Sequence, residues 1–193
     1  MEKAQHWPGL DFAKFMCISV MIMTHSLFYL ISDYGTVMDT SHFFYPIILN
    51  ILFFSWFVYA LAITAGCSLR LYFEKYIRHG KTKNFSFKDV ILIAIFLSVL
   101  GFIMNFLGFD ATFAWNILQF ISLSFIVVSI LIKFFPIYSI YILGLFTLFL
   151  AEPLSNLIPA QNPNYILSIF FGNSSYLFYW PFFPWFSLIA FGF

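Results

Sequence analysis

Residues 90–108 of the chain are VILIAIFLSVLGFIMNFLG, an apolar run without a charged residue. As a helix, this run would be roughly 30 Å long, which is about the thickness of the hydrocarbon core of a bilayer. Apolar helices in soluble proteins are usually shorter or carry a polar face. The run therefore predicts a helix that crosses a membrane.

The composition of the whole chain is also that of a membrane protein. Of its 193 residues, 62% are hydrophobic and 9% are charged, against about 45–50% and about 25% in soluble domains. A bilayer accepts apolar side chains on the outer surface of a protein, which water does not. The net charge is only +1, and the basic residues form no patch of the kind that binds nucleic acid.

Further apolar runs predict an all-α, polytopic transmembrane bundle of about six helices, formed as a single domain by residues 1–193. The first run is too long for a signal peptide and no small-residue cleavage site follows it. Glu152-Pro153 interrupts the fifth run, so that helix is expected to tilt, re-enter or continue irregularly toward residue 170. The predicted helices occupy residues 12–32, 44–69, 90–108, 114–135, 137–152 and 176–193.

The basic residues predict that the N-terminus is cytoplasmic. In that orientation all 9 Lys and Arg residues lie in inner segments, and the outer loops contain none. Six of them fall in residues 70–89, which are predicted to be a basic cytoplasmic loop. This loop is either a solvated connection or a surface for anionic lipid or a phosphorylated cofactor.

Two histidines are candidates for acid–base chemistry. His25 is predicted to lie in the outer half of the membrane, where an ionisable group is a functional candidate. There are two interpretations of His25. Its neutral imidazole acts as a general base, or the imidazole forms a hydrogen bond between helices. His42 precedes the second helix and is either a surface residue or a second acid–base group. The four His and two Cys residues show no close ligand spacing, so no metal site is predicted.

Polar residues in two predicted helices are the other candidates. Asp11 and Lys14 are three residues apart and can pair, either as an interfacial salt bridge or with Lys14 attracting a phosphate-bearing cofactor.

In the fourth helix a polar stripe indicates a face toward the bundle interior, and we expect two residues of the third helix to face it. This stripe either links helices or orients a ligand. Its members are Trp115, Asn116, Gln119 and Ser122, and the facing residues are Ser98 and Asn105.

Gly66 lies among small residues of the second predicted helix, between Ala62, Ala65 and Ser68. Small side chains allow two helix backbones to approach closely. The sequence therefore predicts that another helix packs tightly against this position.

Four segments together resemble the heparan-alpha-glucosaminide N-acetyltransferase family of multipass membrane acyltransferases, including its bacterial members. The chain departs from the family pattern at Lys14, where Arg is usual, at Phe15, where Gly is usual, and at Ser55, where Pro is usual. A lysine cannot bind phosphate with the two-pronged geometry of arginine. The segments are Leu10–Lys14 with His25, Asn50–Ser68, Trp115–Gln119, and Pro181–Trp185 with Gly192.

The resemblance implies transfer of an acetyl group from cytoplasmic acetyl-CoA, a co-substrate, to a sugar-like acceptor on the outer side. Membrane lipids are further expected partners, and the bacterial inner (plasma) membrane is the expected location. Family members are usually longer, so a homo-oligomer or a missing second half is expected to complete the cofactor tunnel. The implied catalytic residues are His25 and His42, and the implied donor-binding residues are Asp11, Lys14, Asn116 and Gln119.

Other classes of membrane protein remain as alternatives. The acyltransferase type 3 O-acyltransferases share a histidine in the first helix, but their second basic motif is not evident here. A transporter would use broken helices and polar sites at the membrane midplane. The break at Glu152-Pro153 leaves this alternative open, but the sequence shows no inverted repeat. A non-catalytic membrane scaffold is the third alternative.

Overall fold

The computed structural model of the chain describes residues 7–34, 55–78, 85–108, 115–157, 165–171 and 180–193. Within these ranges the chain is helical apart from short connections, and it contains no strand. The prediction of an all-α bundle is confirmed. The helices are α1 Pro8–Tyr34, α2 Ser55–Arg78, α3 Phe87–Gly108, α4 Ile117–Phe134, α5 Tyr138–Leu157, α6 Tyr165–Phe171 and α7 Phe182–Gly192.

The short helix α7 is the centre of the bundle. Helices α2 and α5 pack along it most extensively, and α4 and α6 also contact it. Phe186, Ile189 and Ala190 of α7 are completely buried. Within the described part, α1 packs only against α2, and α3 packs only against α4. The core is therefore built around α7, with α1 and α3 at the periphery.

Helices α2 and α7 run in the same direction. The ring of Tyr59, near the start of α2, stacks on Trp185 with a centroid distance of 5.2 Å. Farther along both helices, the guanidinium carbon of Arg70 lies 5.4 Å from the centre of the Phe193 ring. Six helices of alternating direction would make the second and the last parallel, so this packing agrees with the predicted order. The orientation of the bundle in a membrane stays a prediction.

The helices give the bundle two chemically different ends. At one end, the terminus of α4 meets the start of α3, where Lys133 contacts Phe87. Phe73 of α2 reaches the same end, with its ring centre 4.9 Å from that of Phe85. We call this the basic end, and it carries Arg70, Lys88 and Lys133.

The opposite end brings together the start of α2, the start of α4 and the start of α7. We call it the tryptophan end, after Trp115, Trp180 and Trp185. Helix α5 begins next to the end of α4, at the basic end, and runs antiparallel to α7. The contacts of Gly144 with Ala190 and of Phe146 with Phe183 show this direction. The last residues of α5 therefore lie toward the tryptophan end.

Much of the outer surface is apolar. Phe106 of α3 and Phe149 of α5 are 73% and 72% exposed, which would be unfavourable in water. In the described part, three helical stretches are long and apolar enough to cross a membrane. They are Phe87–Phe106, Ile117–Phe134 and Tyr138–Asn156.

Helix α2 extends well beyond the end that the sequence predicted. Residues 70–78, expected to begin the basic loop, are helical as far as Arg78. Arg70, Glu74 and Arg78 follow each other at a spacing of four, and opposite charges at this spacing stabilise a helix. The helix can therefore continue as its composition turns from apolar to charged. Residues 79–84, the middle of the expected loop, lie outside the described residues.

Other helix boundaries also differ from the prediction. Helix α1 begins earlier, with Pro8 as its first residue, a position at which the missing proline N–H costs little. Helix α5 does not stop at Glu152 but continues through Pro153 to Leu157. The short helix α6 was not expected, and the predicted starts of the second and sixth helices, residues 44–54 and 176–179, lie outside the described residues.

Candidate functional site

The polar residues of α3 and α4 meet along the contact between these two helices. Ser98 Oγ donates a hydrogen bond to Ser122 Oγ at 2.9 Å, and Ser122 Oγ donates to the carbonyl of Ala94 at 2.7 Å. Closer to the tryptophan end, Asn116 Nδ2 donates to Asn105 Oδ1 at 2.8 Å. The prediction that Ser98 and Asn105 face the polar stripe of the fourth helix is confirmed.

Asn116 caps the start of α4. Its Oδ1 accepts hydrogen bonds from the backbone N–H groups of Leu118 and Gln119 at 3.0 and 3.2 Å. These donors have no partner within a helix, so an asparagine at this position stabilises the helix. Its Nδ2 donates to Gly101 O at 2.9 Å as well as to Asn105. Because both amide hydrogens are used, the side chain of Asn116 is held firmly between α3 and α4.

Gly101 makes this arrangement possible. A Cβ atom at position 101 would lie only 2.9 Å from Asn116 Oδ1 and 3.2 Å from the Cγ atom of Gln119. Both distances are shorter than ordinary van der Waals contact. The absence of a side chain at Gly101 lets the amide groups of α4 lie directly on the backbone of α3.

Gln119 completes the cap but keeps one hydrogen-bonding group available. Its Oε1 accepts a hydrogen bond from the backbone N–H of Asn116 at 2.9 Å, which forms the reciprocal pair called a capping box. The side chain is 3% exposed. Among the described residues, no atom accepts a hydrogen bond from Gln119 Nε2. This amide nitrogen is therefore a donor that a ligand could use.

Aromatic residues surround the start of α4 at the tryptophan end. Trp115 Nε1 donates to the backbone carbonyl of Trp180 at 2.7 Å. The Trp180 ring lies 4.6 Å from that of Trp185 and 6.2 Å from that of Phe120, measured between centroids. These contacts join α4 to the start of α7. No local sequence pattern indicates that Trp180 meets Trp115, because the two residues are far apart in the chain.

Asp11 and Lys14 form the expected pair in the first part of α1. Lys14 Nζ lies 3.4 Å from Asp11 Oδ1, and the two side chains are 35% and 51% exposed, respectively. A pair this exposed contributes little to stability. In the described part α1 contacts α2 but not α4, so the structure does not bring Lys14 next to Asn116 or Gln119.

The side chains of both predicted catalytic histidines lie outside the described part of the structure. His25 lies within α1, but its side chain is outside what the structure describes. His42 lies entirely outside the described residues. Within the described part, no group of His, Cys, Asp and Glu residues is arranged to hold a metal ion.

The sequence model of the family described as "Heparan-alpha-glucosaminide N-acetyltransferase, catalytic" matches residues 7–193. The chain belongs to this family. No curated protein and no solved structure matches it.

Membership in the N-acetyltransferase family and the apolar helices together make the chain an integral membrane protein. The matched range includes every described helix. It also includes α1 with its Asp11–Lys14 pair and the hydrogen-bonded contact between α3 and α4. The family thus agrees with the resemblance that the sequence motifs indicated.

Proposed function

We propose that the chain is a membrane acetyltransferase that takes an acetyl group from acetyl-CoA at the cytoplasmic side and transfers it to a sugar-like acceptor at the outer side. The observation that carries this proposal is the family match over residues 7–193. The division of the bundle into a basic end and a tryptophan end supports it, because anionic CoA favours basic surroundings. In this scheme the basic end faces the cytoplasm.

His25 is the proposed general base. The acceptor hydroxyl or amine attacks the thioester carbonyl while the neutral imidazole takes its proton, and CoA leaves as a thiolate that is then protonated. A neutral imidazole can accept this proton and is therefore suited to the task. His42 is proposed as a second acid–base group that returns a proton to the leaving thiolate.

Asp11 and Lys14 are proposed to bind the donor at its entrance. Lys14 Nζ is partly exposed and has room for a phosphate oxygen besides Asp11 Oδ1. A lysine attracts phosphate as a point charge, whereas an arginine would hold it with two parallel hydrogen bonds. Asp11 would limit the motion of the lysine side chain and so hold its charge near the donor.

Gln119 and Asn116 are proposed to orient the donor in different ways. Gln119 Nε2, near the tryptophan end, is the free donor for the carbonyl oxygen of the acetyl group. Asn116 acts through Gln119, because its backbone N–H fixes Gln119 Oε1 and thereby the direction of the amide. Asn116 is in this sense a positioning residue.

The test is an acetyl-transfer assay with labelled acetyl-CoA and a glucosamine-containing acceptor, using detergent-purified protein. His25→Ala should reduce turnover by about 10²–10⁴-fold, the usual contribution of a general base, while the thermal stability stays close to that of the wild type. His6→Ala, which removes a histidine to which no role is assigned, is the matched control. Full turnover by folded His25→Ala protein would disprove the role of His25.

A Gln119→Glu variant separates donor binding from helix capping. The glutamate keeps the oxygen that accepts from Asn116 N but loses the Nε2 donor and adds a negative charge. We expect the KM for acetyl-CoA to rise about tenfold or more, since an orphaned or repelled polar group costs about 1–3 kcal/mol. Because Gln119 is buried, the added charge also lowers the melting temperature, so the KM is the readout that reports donor binding. A lower melting temperature with an unchanged KM would show that Gln119 only caps α4.

A further inference from the structure

Lys133 has unusual surroundings at the basic end of the bundle. Its Nζ atom lies 5.5 Å from the ring centre of Phe87 and 5.9 Å from those of Phe85 and Phe134. Phe85 is 4% exposed and Lys133 itself is half-buried. Three aromatic ring centres thus lie near the ammonium group of a partly buried lysine.

These rings do not replace a negatively charged partner. Each cation–π contact is individually weak, and a ring accepts N–H hydrogen bonds only weakly. Among the described residues, no carboxylate lies within ion-pairing distance of Lys133 Nζ, and no oxygen accepts a hydrogen bond from it. The nearby carbonyl of Leu131 already accepts from Phe135 N at 2.8 Å. The three N–H donors of the ammonium therefore remain available to an anion.

The position of Lys133 indicates where such an anion would come from. Lys133 is in the last turn of α4, whose apolar stretch Ile117–Phe134 is long enough to cross a membrane. Phe134, Phe135 and Tyr138 beside it are 69%, 56% and 60% exposed. Aromatic side chains of this kind are common at the level of lipid headgroups.

The charge near this position is mixed. Lys88 and Asp89 follow Phe87 in α3, and both side chains are exposed. Their charges largely offset each other, so neither residue compensates the charge of the half-buried Lys133. A phosphate at headgroup depth would contact its ammonium group directly while the lipid chains covered the exposed rings.

We propose that Lys133, with Phe85, Phe87 and Phe134, binds the phosphate of an anionic phospholipid at the basic end of the bundle. The rings hold the lysine side chain and exclude water from one side, and the lipid phosphate supplies the missing oxygen atoms. This site shares no residue with those proposed individually for acetyl transfer.

Native mass spectrometry of the detergent-purified protein with added lipid tests the proposal. The probes are phosphatidylglycerol, which is anionic, and phosphatidylcholine, whose phosphate is offset by its choline. The variants are Lys133→Gln, Lys133→Arg and the matched control Lys88→Gln, which removes an exposed lysine at the same end. Size-exclusion profiles and helical content establish that each variant is folded.

We expect wild-type protein to retain phosphatidylglycerol in preference to phosphatidylcholine. Lys133→Gln should weaken this binding about five-fold, which is the factor given by roughly 1 kcal/mol for one basic residue at an anionic membrane. Lys133→Arg should retain binding, because arginine keeps both the charge and the ring contacts. Lys88→Gln should have a smaller effect than Lys133→Gln.

Two results would overturn the proposal. Equal losses in Lys133→Gln and Lys88→Gln would indicate attraction by general surface charge instead of a defined site. The second result would come from a competition experiment, in which CoA is added to the lipid-bound protein. If CoA displaces phosphatidylglycerol from wild type and not from Lys133→Gln, the phosphate belongs to the acyl donor and not to a lipid.

Discussion

At the scale of single residues, two glycines determine how closely α2 and α7 approach. A Cβ atom on Gly66 would overlap the carbonyl oxygen of Ile189, and one on Gly192 would overlap the carbonyl oxygen of Ile63. Each glycine therefore faces the backbone of the other helix. Backbone contact of this kind is a principal source of helix association in a membrane, where the hydrophobic effect between helices is absent.

We predict that Gly66→Ala destabilises the protein. The added methyl group overlaps backbone atoms, which cannot move aside as a flexible side chain can, and overpacking of this kind costs about 1–3 kcal/mol. Thermal unfolding followed by size-exclusion chromatography in detergent measures the effect. The control is Gly9→Ala, because no heavy atom lies within 4 Å of the added Cβ there. Equal melting temperatures for the two variants would contradict the prediction.

At the scale of helices, serine side chains help hold α3 against α4. Ser122 Oγ accepts from Ser98 and donates to Ala94 O, so one hydroxyl group joins two points of α3. Hydrogen bonds between membrane helices contribute about 0.6 kcal/mol on average. The serine pair is therefore expected to stabilise the contact modestly and mainly to fix its register.

A double-mutant cycle with Ser98→Ala and Ser122→Ala measures this contribution. We predict a coupling free energy of about 0.5–1 kcal/mol between the two positions. Ser122→Ala alone should cost more than Ser98→Ala alone, because it also removes the bond to Ala94 O. Ser155→Ala serves as the reference, since its hydroxyl is exposed and bonds only to Glu152 O. Additive effects of Ser98→Ala and Ser122→Ala would show that the two hydroxyl groups are energetically independent.

At the scale of the whole molecule, the distribution of charge distinguishes the two ends of the bundle. Arg70, Lys88 and Lys133 come from three different helices and lie at the same end. Basic residues at the ends of membrane helices are retained in the cytoplasm. The basic end is therefore the end that we expect to face the cytoplasm.

Cysteine labelling in intact cells tests this orientation. In a background with Cys17 and Cys67 replaced by alanine, Asn156→Cys and Lys88→Cys each introduce one exposed thiol, at the far end of α5 and at the basic end. We predict that a membrane-impermeant maleimide labels Asn156→Cys directly and Lys88→Cys only after the membrane is permeabilised. The reverse pattern would show that the bundle has the opposite orientation.

Several features of the α3–α4 contact could be predicted from the sequence. Polar residues at a spacing of three, four or seven lie on one face of a helix, and a polar face in lipid turns toward another helix because no water is present to satisfy it. This reasoning places Ser98 and Asn105 opposite the polar stripe, and the structure shows that Ser98 meets Ser122 and Asn105 meets Asn116. The same spacing does not distinguish a helix cap from a ligand site, and only the structure reveals the cap formed by Asn116.

The sequence by itself determined that the chain is an α-helical membrane protein and which faces of α3 and α4 meet, because apolar length and periodicity are local properties. Only the tertiary structure decided that the short helix α7 is the centre of the bundle, that Trp115 meets Trp180, and that Lys133 lies among Phe85 and Phe87. These contacts join residues that are distant in the chain. Their free energy depends on how whole helices pack, which no local pattern encodes.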